Sequence, residues 1–170
     1  RQGRLPKVLQ VRRGKSFRRS SSESLTACEF VYGPKYFEPS SMIRRVIKTR
    51  GKSSAAIRSD QGGGEITVEK GNYTTSGQGS PAIYSTADIT VKEADLESTS
   101  SQGVVIEGGN SVKLDSVNVT ANHNTLNGKD STHQAVLIYQ SDSGDASKGK
   151  AKFTMNNGTI TNETGDIFCV

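Results

Sequence analysis

An internal repeat with a period of 23 residues is the feature of this sequence that most restricts its fold. Three eight-residue lines, at 66–73, 89–96 and 112–119, follow one another at this spacing, and a fourth line of the same pattern occupies 153–160. Each line has large apolar residues at its first, third and eighth positions and a polar or glycine-containing group between them. The alternation predicts a strand with one buried face, and the intervening group predicts a turn before a second strand.

A third apolar strand recurs once in each repeat. Its segments lie at 55–57, 81–83, 104–106, 136–138 and 168–170. Ile83 follows Tyr73 by ten residues, and Ile106 follows Leu96 by ten residues. We therefore predict an all-β parallel β-helix with about 23 residues and three strands per coil, and with four to five coils. An antiparallel sandwich is the rival fold, but its strands do not keep one period.

Stacking of equivalent positions makes the prediction specific. Apolar residues of successive coils should form continuous ladders inside the helix, because neighbouring strands lie about 4.8 Å apart. Asn72, Asp95 and Asn118 occupy the seventh position of their lines and should form a polar ladder. The composition agrees with a thin core and many turns, since only 32% of residues are hydrophobic and 18 are glycine.

Charge divides the chain near residue 50. Residues 1–52 contain 14 Lys and Arg against 3 Glu, a net charge of +11, whereas residues 53–170 contain 8 against 14 acidic residues, a net charge of −6. We interpret 1–50 as a basic, disordered or non-native extension and 51–170 as a parallel β-helix fragment that is open at its C-terminal end. Ser40 as N-cap predicts a short helix from Ser40 to Lys48 within the extension. A basic arm for nucleic acid is an alternative role, whereas a twin-arginine signal at Arg12-Arg13 lacks the apolar stretch that should follow it.

Several runs of the second part resemble a known family. They are Gly51–Ile57, Gly62–Gly64, Gly79–Ile89 and Val136–Ser141. Over residues 50–170 these runs are similar to adhesin-like, pectate-lyase-like β-helix proteins of gut Firmicutes. The resemblance implies a right-handed solenoid in a secreted or cell-surface protein. It provides no catalytic motif, so no functional residues are transferred from it.

Two insertions of nine residues interrupt the period, and both flank the strand near 135–140. Insertions in solenoids form loops on one face, often the binding face. Residues that follow the last apolar position of the third strand should point outward beside these loops, and at strand spacing they should stack into one outer ladder. The candidate glycan-binding residues are Arg58, Tyr84, Glu107 and Tyr139 on the strands, with Asp142 and Asp145 in the second loop.

Catalysis and metal binding find little support in the sequence. A β-helix lyase needs clustered carboxylates and a base, whereas Glu107 stands alone on its face and Arg58 lies two coils away. Only Asp142 or Asp145 could complete a hydrolase pair with Glu107. We predict no catalytic residues, no metal and no cofactor, and we interpret His123 and His133 as residues of one loop without fixed metal geometry.

The sequence thus predicts a non-catalytic structural or adhesive module, extracellular or at the cell surface, with a glycan or host surface as partner. A fragment of a carbohydrate-active enzyme is the first alternative, and nucleic-acid binding through the basic arm is the second.

No apolar run approaches the roughly 18 residues of a membrane span, and no signal peptide is visible. Because the chain starts at Arg1 and ends at Val170 within an apolar run, we expect a fragment whose exposed ends self-associate. Cys28 and Cys169 are interpreted as free thiols.

Overall fold

The computed structural model describes residues 29–30, 45–126 and 132–170, and the elements in these ranges are all strands. There are eleven of them: β1 (Glu29–Phe30), β2 (Arg45–Thr49), β3 (Ile57–Arg58), β4 (Glu65–Thr75), β5 (Ile83–Ser85), β6 (Asp88–Ser98), β7 (Val104–Glu107), β8 (Ser111–Ala121), β9 (Gln134–Tyr139), β10 (Lys152–Asn162) and β11 (Asp166–Cys169). Within the described ranges, no helix is long and apolar enough to cross a membrane.

The strands form two sheets between which the chain alternates. One sheet has the order β1-β2-β4-β6-β8-β10, and the other has the order β11-β9-β7-β5-β3. Every pair is parallel except β1 with β2, which is antiparallel. From β2 onward, each strand of one sheet is separated from its neighbour in that sheet by a strand of the other sheet. The prediction of an all-β, parallel structure is confirmed, and the alternation is consistent with a parallel β-solenoid.

The register of the first sheet follows the repeat. Ile66 pairs with Ile89, Ile89 with Val112, and Phe153 with Val112. The third positions of the lines lie in the core, with Val68, Val91 and Leu114 almost completely buried. The prediction that like positions stack on like positions is confirmed for this sheet.

The structure has two strands per coil rather than the predicted three, because each line lies within one continuous strand of 11 residues. The fifth residue of each line has a positive φ, between 51° and 60°: these are Lys70, Glu93, Ser116 and Asn157. The ladder omits this residue and resumes beyond it. A single left-handed residue bends the strand and changes which side chains point inward, so that positions three and six both face the core.

The register of the second sheet differs from the prediction. Ile83 pairs with Val104, two residues before the predicted Ile106. The corner between β4 and β5 has seven residues, 76–82, whereas the corner between β6 and β7 has five, 99–103. A shift of two residues keeps every side chain on its face, so the apolar pattern alone does not reveal it.

Strand β2 lies where a short helix was considered. Its residues pair in parallel with β4, Arg45 opposite Gly71 and Thr49 opposite Thr75. The helix interpretation is wrong for residues 45–48, because their backbone extends the first sheet, and residues 40–44 lie outside the described ranges. The interpretations of residues 1–28 and 31–44, which include Cys28, also lie outside them.

The predicted polar ladder is present on the outer face of the first sheet. Asn118 Nδ2 donates to Asp95 Oδ1 at 3.0 Å, and Thr159 Oγ1 donates to Asn118 Oδ1 at 3.0 Å. With its amide oriented to donate, Asn72 reaches Asp95 Oδ2 at 3.3 Å. These bonds connect four successive coils at one position of the repeat.

Candidate functional site

The outer face of the second sheet carries the strand residues that the sequence singled out, but in two rows rather than one. Arg58 on β3 pairs with Tyr84 on β5, and Tyr84 pairs with Val105 on β7. Glu107 pairs with Tyr139 on β9, one step further along the outer face. The prediction of one continuous ladder of four residues is therefore wrong, because the shifted register puts Tyr84 beside Val105.

Three of the four side chains nevertheless meet across the two rows. The Tyr84 hydroxyl donates to Glu107 Oε2, and the Tyr139 hydroxyl donates to the same oxygen at 3.0 Å. The two tyrosine hydroxyl oxygens are 3.2 Å apart. Both hydroxyls thereby contact Glu107, and this residue is only 2% exposed. Glu107 lies on the outer face as predicted, but it is covered rather than open to solvent.

The loop after β9, residues 140–151, contains the second insertion, and we call it the inserted loop. It provides the remaining cover of Glu107. Ser141 Oγ donates to Glu107 Oε1, and Ser143 Oγ donates to the same oxygen at 3.3 Å. The two serine hydroxyl oxygens are 2.6 Å apart. Each carboxylate oxygen thus accepts two hydroxyl hydrogen bonds, so the buried charge is compensated without a cation.

Glycines form the surface on which the inserted loop lies. The backbone N–H of Gly109 donates to the Ser147 carbonyl at 2.7 Å. A Cβ atom on Gly108 would overlap that carbonyl oxygen, and a Cβ on Gly109 would lie 2.8 Å from the Cα of Gly149. On the corner two coils earlier, a Cβ on Gly62 would lie 3.1 Å from the Asp145 carbonyl oxygen. The loop therefore folds back along the solenoid against backbone that no side chain covers.

Hydrogen bonding determines the protonation of the cluster. Burial raises the pKa of Glu107, but hydrogen bonds from Ser141, Tyr84, Tyr139 and Ser143 together outweigh it and hold the pKa below its ordinary value. Burial raises the pKa of Tyr84, and its hydrogen bonds to Glu107 and Tyr139 raise that pKa further. Around neutral pH the cluster is therefore one carboxylate that accepts hydrogen bonds from neutral hydroxyls.

Arg58 contributes a positive charge at the edge of this cluster. Its guanidinium carbon lies 5.2 Å from the centroid of the Tyr84 ring, which is cation–π range. Its Nε donates to Asp60 at 2.8 Å, and its Nη1 donates to the Ser53 carbonyl at 2.6 Å. Arg58 is exposed, so it is available to a ligand while it restrains the Tyr84 ring.

Asp142 and Asp145 lie on the exposed side of the inserted loop. Asp142 is 3.9 Å from Lys148, a distance at which two exposed charges interact weakly. The Asp145 backbone N–H donates to Ser143 Oγ at 3.3 Å, while its side chain faces solvent. No group of three or more His, Cys, Asp or Glu that could hold a metal occurs in the described ranges.

Ser141 and Ser143 belong to the Glu107 cluster, but sequence reasoning did not select them as site residues. Their one signal is position, because they come two and four residues after the outward Tyr139, at the start of an insertion. Serine is common throughout this chain, so that signal does not distinguish them from other loop serines. Their role depends on how the loop folds back.

The two histidines join the ends of the first insertion. His123 is completely buried, and its Nδ1 accepts the backbone N–H of Gln134 at 3.1 Å. The Nδ1 of His133 contacts the His123 carbonyl, and the two ring centroids are 5.4 Å apart. Both contacts connect the segment after β8 to the start of β9. Residues 127–131, which include Lys129 and Asp130, lie outside the described ranges.

Comparison with protein-family models, curated proteins and solved structures finds no match for this chain. The adhesin-like family that the sequence resembles therefore stays a prediction, and the arguments about function depend on the site itself.

Proposed function

We propose that this chain is a non-catalytic structural and adhesive module of a secreted or cell-surface bacterial protein, built as a right-handed parallel β-helix, which binds glycans weakly through Tyr84 and Tyr139. The observation that carries the proposal is the fixation of these two rings by the buried Glu107 carboxylate. The right hand is supported by the general rule that about 98% of parallel crossover connections are right-handed.

Preorganisation is the physical reason for choosing the tyrosine pair. A side chain that is already held in one rotamer loses little entropy when a ligand contacts it. The Tyr139 side chain is 36% exposed, and tyrosine faces stack on the apolar faces of sugar rings. Arg58 lies over the Tyr84 ring, and the inserted loop that covers Glu107 also carries the exposed carboxylates of Asp142 and Asp145; these charged groups are suited to bonding hydroxyls. A site with so few contacts is expected to have a Kd of about 1 mM, or roughly −4 kcal/mol.

Glu107 carries the one strand carboxylate on the outer face of the second sheet, and its surroundings count against a catalytic role. A general acid or base must exchange a proton with the substrate within hydrogen-bond reach. Both oxygens of Glu107 are occupied by hydroxyls, and the inserted loop and the tyrosines cover them. The alternative of a carbohydrate-active enzyme would therefore need another set of residues.

A glycan-array screen of the 170-residue chain tests the proposal. The Tyr84→Ala/Tyr139→Ala variant should lose binding, and Tyr139→Phe should keep most of it because the ring remains. The matched control is Thr67→Ala/Thr90→Ala, two substitutions on the outer face of the first sheet. Binding that survives in the tyrosine variant, or no binding above background by the original chain, would overturn the proposal.

A further inference from the structure

We propose that Tyr84 and Tyr139 form an oxidative modification site, at which a haem peroxidase with hydrogen peroxide joins the two rings by a carbon–carbon bond. The hydroxyl oxygens of the two tyrosines are 3.2 Å apart, although 55 positions separate the residues in the chain. Both hydroxyls also donate to one oxygen of Glu107. Contact between two phenols that share a proton acceptor favours oxidative coupling, and the inference does not depend on glycan binding.

The geometry of the second sheet explains why the two rings meet at their hydroxyls. Tyr84 lies on β5 and Tyr139 on β9, and β7 lies between these two strands. Two strand spacings are roughly 10 Å, which exceeds the Cα separation of about 4.4–6.8 Å that a disulfide spans. Both tyrosine side chains reach over β7 instead, where their hydroxyls contact the Glu107 carboxylate. A tyrosine pair can therefore link strands that a disulfide could not.

The contact at the hydroxyls lies beside the atoms that would form the new bond. In a phenoxyl radical the unpaired electron is shared between the oxygen and the ring carbons ortho and para to it. The para carbon of tyrosine carries Cβ, so the ortho carbons Cε1 and Cε2 are the ones that couple. Each ortho carbon is bonded to the carbon that bears the hydroxyl, and the coupled product keeps its two hydroxyls adjacent. The product can therefore retain both hydrogen bonds to Glu107.

The reaction balances with these groups and the peroxide. Each tyrosine gives one electron to the peroxidase and loses its phenolic proton. Glu107 accepts the proton of Tyr84, to which it is already hydrogen-bonded, and the proton of Tyr139 passes to solvent, because Tyr139 is 36% exposed. The two radicals form one bond between ortho carbons, and the hydrogen displaced at each of these carbons moves to the neighbouring oxygen. The two electrons and two protons reduce one hydrogen peroxide to two waters.

Preorganisation favours coupling within one chain over coupling between chains. Around neutral pH Glu107 is a carboxylate and Tyr84 is a neutral phenol, so the proton acceptor is in place before oxidation. Hydrogen bonds to one carboxylate oxygen hold both hydroxyls together. Two groups that are held in contact react as if each were far more concentrated than any protein solution. The yield of the bond should therefore not depend on protein concentration.

Dityrosine fluorescence after treatment with a haem peroxidase and hydrogen peroxide provides the first test. A Tyr32→Phe/Tyr36→Phe background leaves three tyrosines, Tyr73, Tyr84 and Tyr139. In this background the fluorescence should appear, and adding Tyr84→Phe or Tyr139→Phe should lower it at least about tenfold, because neither phenol has another partner held against it. The matched control Tyr73→Phe removes a phenol that is buried in the core and should keep the fluorescence. Absence of fluorescence in the background chain, or fluorescence that survives in either single variant, would contradict the inference.

Peptide mapping by mass spectrometry locates the bond without any substitution. Digestion of the oxidised original chain should give a cross-linked pair of peptides that contain Tyr84 and Tyr139, with a mass two hydrogen atoms below the sum of the two. An equal mixture of isotope-labelled and unlabelled chains should give no pair that combines a labelled with an unlabelled peptide. A bond that maps to other residues, or mixed pairs as abundant as pure ones, would overturn the inference.

Discussion

Removing the charge of Glu107 should loosen the inserted loop and destabilise the whole stack. The Glu107→Gln variant keeps the shape of the side chain but turns four charge-assisted hydrogen bonds into neutral ones. A hydrogen bond to a charged group contributes about 1.5–3 kcal/mol and a neutral one about 0.5–1.5 kcal/mol, so the loss is about 1 kcal/mol per bond. The amide nitrogen of the variant is itself a donor, and it must face two hydroxyls that donate to the carboxylate oxygen in the original chain.

The expected loss in the free energy of unfolding is about 3 kcal/mol, since the bonds are not fully additive. For a chain of this size that loss lowers Tm by about 6–12 °C. Urea denaturation followed by circular dichroism measures the first quantity, and a thermal melt measures the second. The matched control is Asp145→Asn, which removes a carboxylate charge from an exposed position of the same loop. It should change the free energy of unfolding by less than about 0.5 kcal/mol.

Limited trypsin digestion separates loop opening from global unfolding. Lys148 and Lys150 are exposed in the inserted loop, and cleavage there requires the loop to leave the surface formed by Gly108 and Gly109. If the 3 kcal/mol is lost from the closed loop, cleavage should accelerate about 100-fold, since each 1.4 kcal/mol is a factor of ten. A Glu107→Gln variant with the stability and cleavage rate of the Asp145→Asn control would refute the reasoning.

Four further outcomes follow from the same structure. The pKa of Glu107 is lowered in the folded state, so the stabilisation from its charge is present above the ordinary carboxyl pKa and is lost as pH falls through the lowered value. In acid denaturation, the free energy of unfolding should therefore fall more steeply with pH for the original chain than for Glu107→Gln. Since the pKa of Tyr84 is raised, spectroscopic titration of the folded original chain and of folded Tyr84→Phe should give the same amount of tyrosinate near pH 10, because Tyr84 stays neutral there; extra tyrosinate in the original chain would contradict this. Gly108→Ala combines a strained positive φ with a steric overlap, whereas Gly144→Ala has a positive φ and open space around the added methyl group. In equilibrium denaturation, Gly108→Ala should lower the free energy of unfolding by about 1–3 kcal/mol more than Gly144→Ala does. Leu114→Ala should cost about 2–5 kcal/mol in the same assay, because Leu114 is completely buried.

Strands β4, β6 and β8 of the first sheet were predictable because their apolar positions repeat without a gap. Ile66, Ile89 and Val112 stand at equal spacing, and a parallel ladder in that register buries all of them. The sequence indicated a change of direction after the third position of each line, but not that a single left-handed residue would produce it. A polar group at the fourth to seventh positions fits a turn, and the residues that adopt the left-handed conformation include Lys70 and Glu93, which seldom do so.

The candidate site was predictable only in part. Alternation along each strand correctly places Tyr84, Glu107 and Tyr139 on the outer face, because parity within a strand is a local property. The burial of Glu107 was not predictable, because it depends on Ser141 and Ser143, more than thirty residues later in the chain. The length of each corner fixes the relative register of the two sheets, and apolar periodicity does not report it.

Hydrogen–deuterium exchange with and without a glycan selected on the array is the most direct measurement of the central claim. The account predicts that added glycan slows exchange in the peptides that contain Tyr84, Glu107 and Tyr139, together with the inserted loop. Exchange in the first sheet, including Thr67 and Thr90, should not change. Slower exchange confined to the first sheet, or no change anywhere at a glycan concentration that saturates the array signal, would contradict the claim that the tyrosine pair is the binding surface.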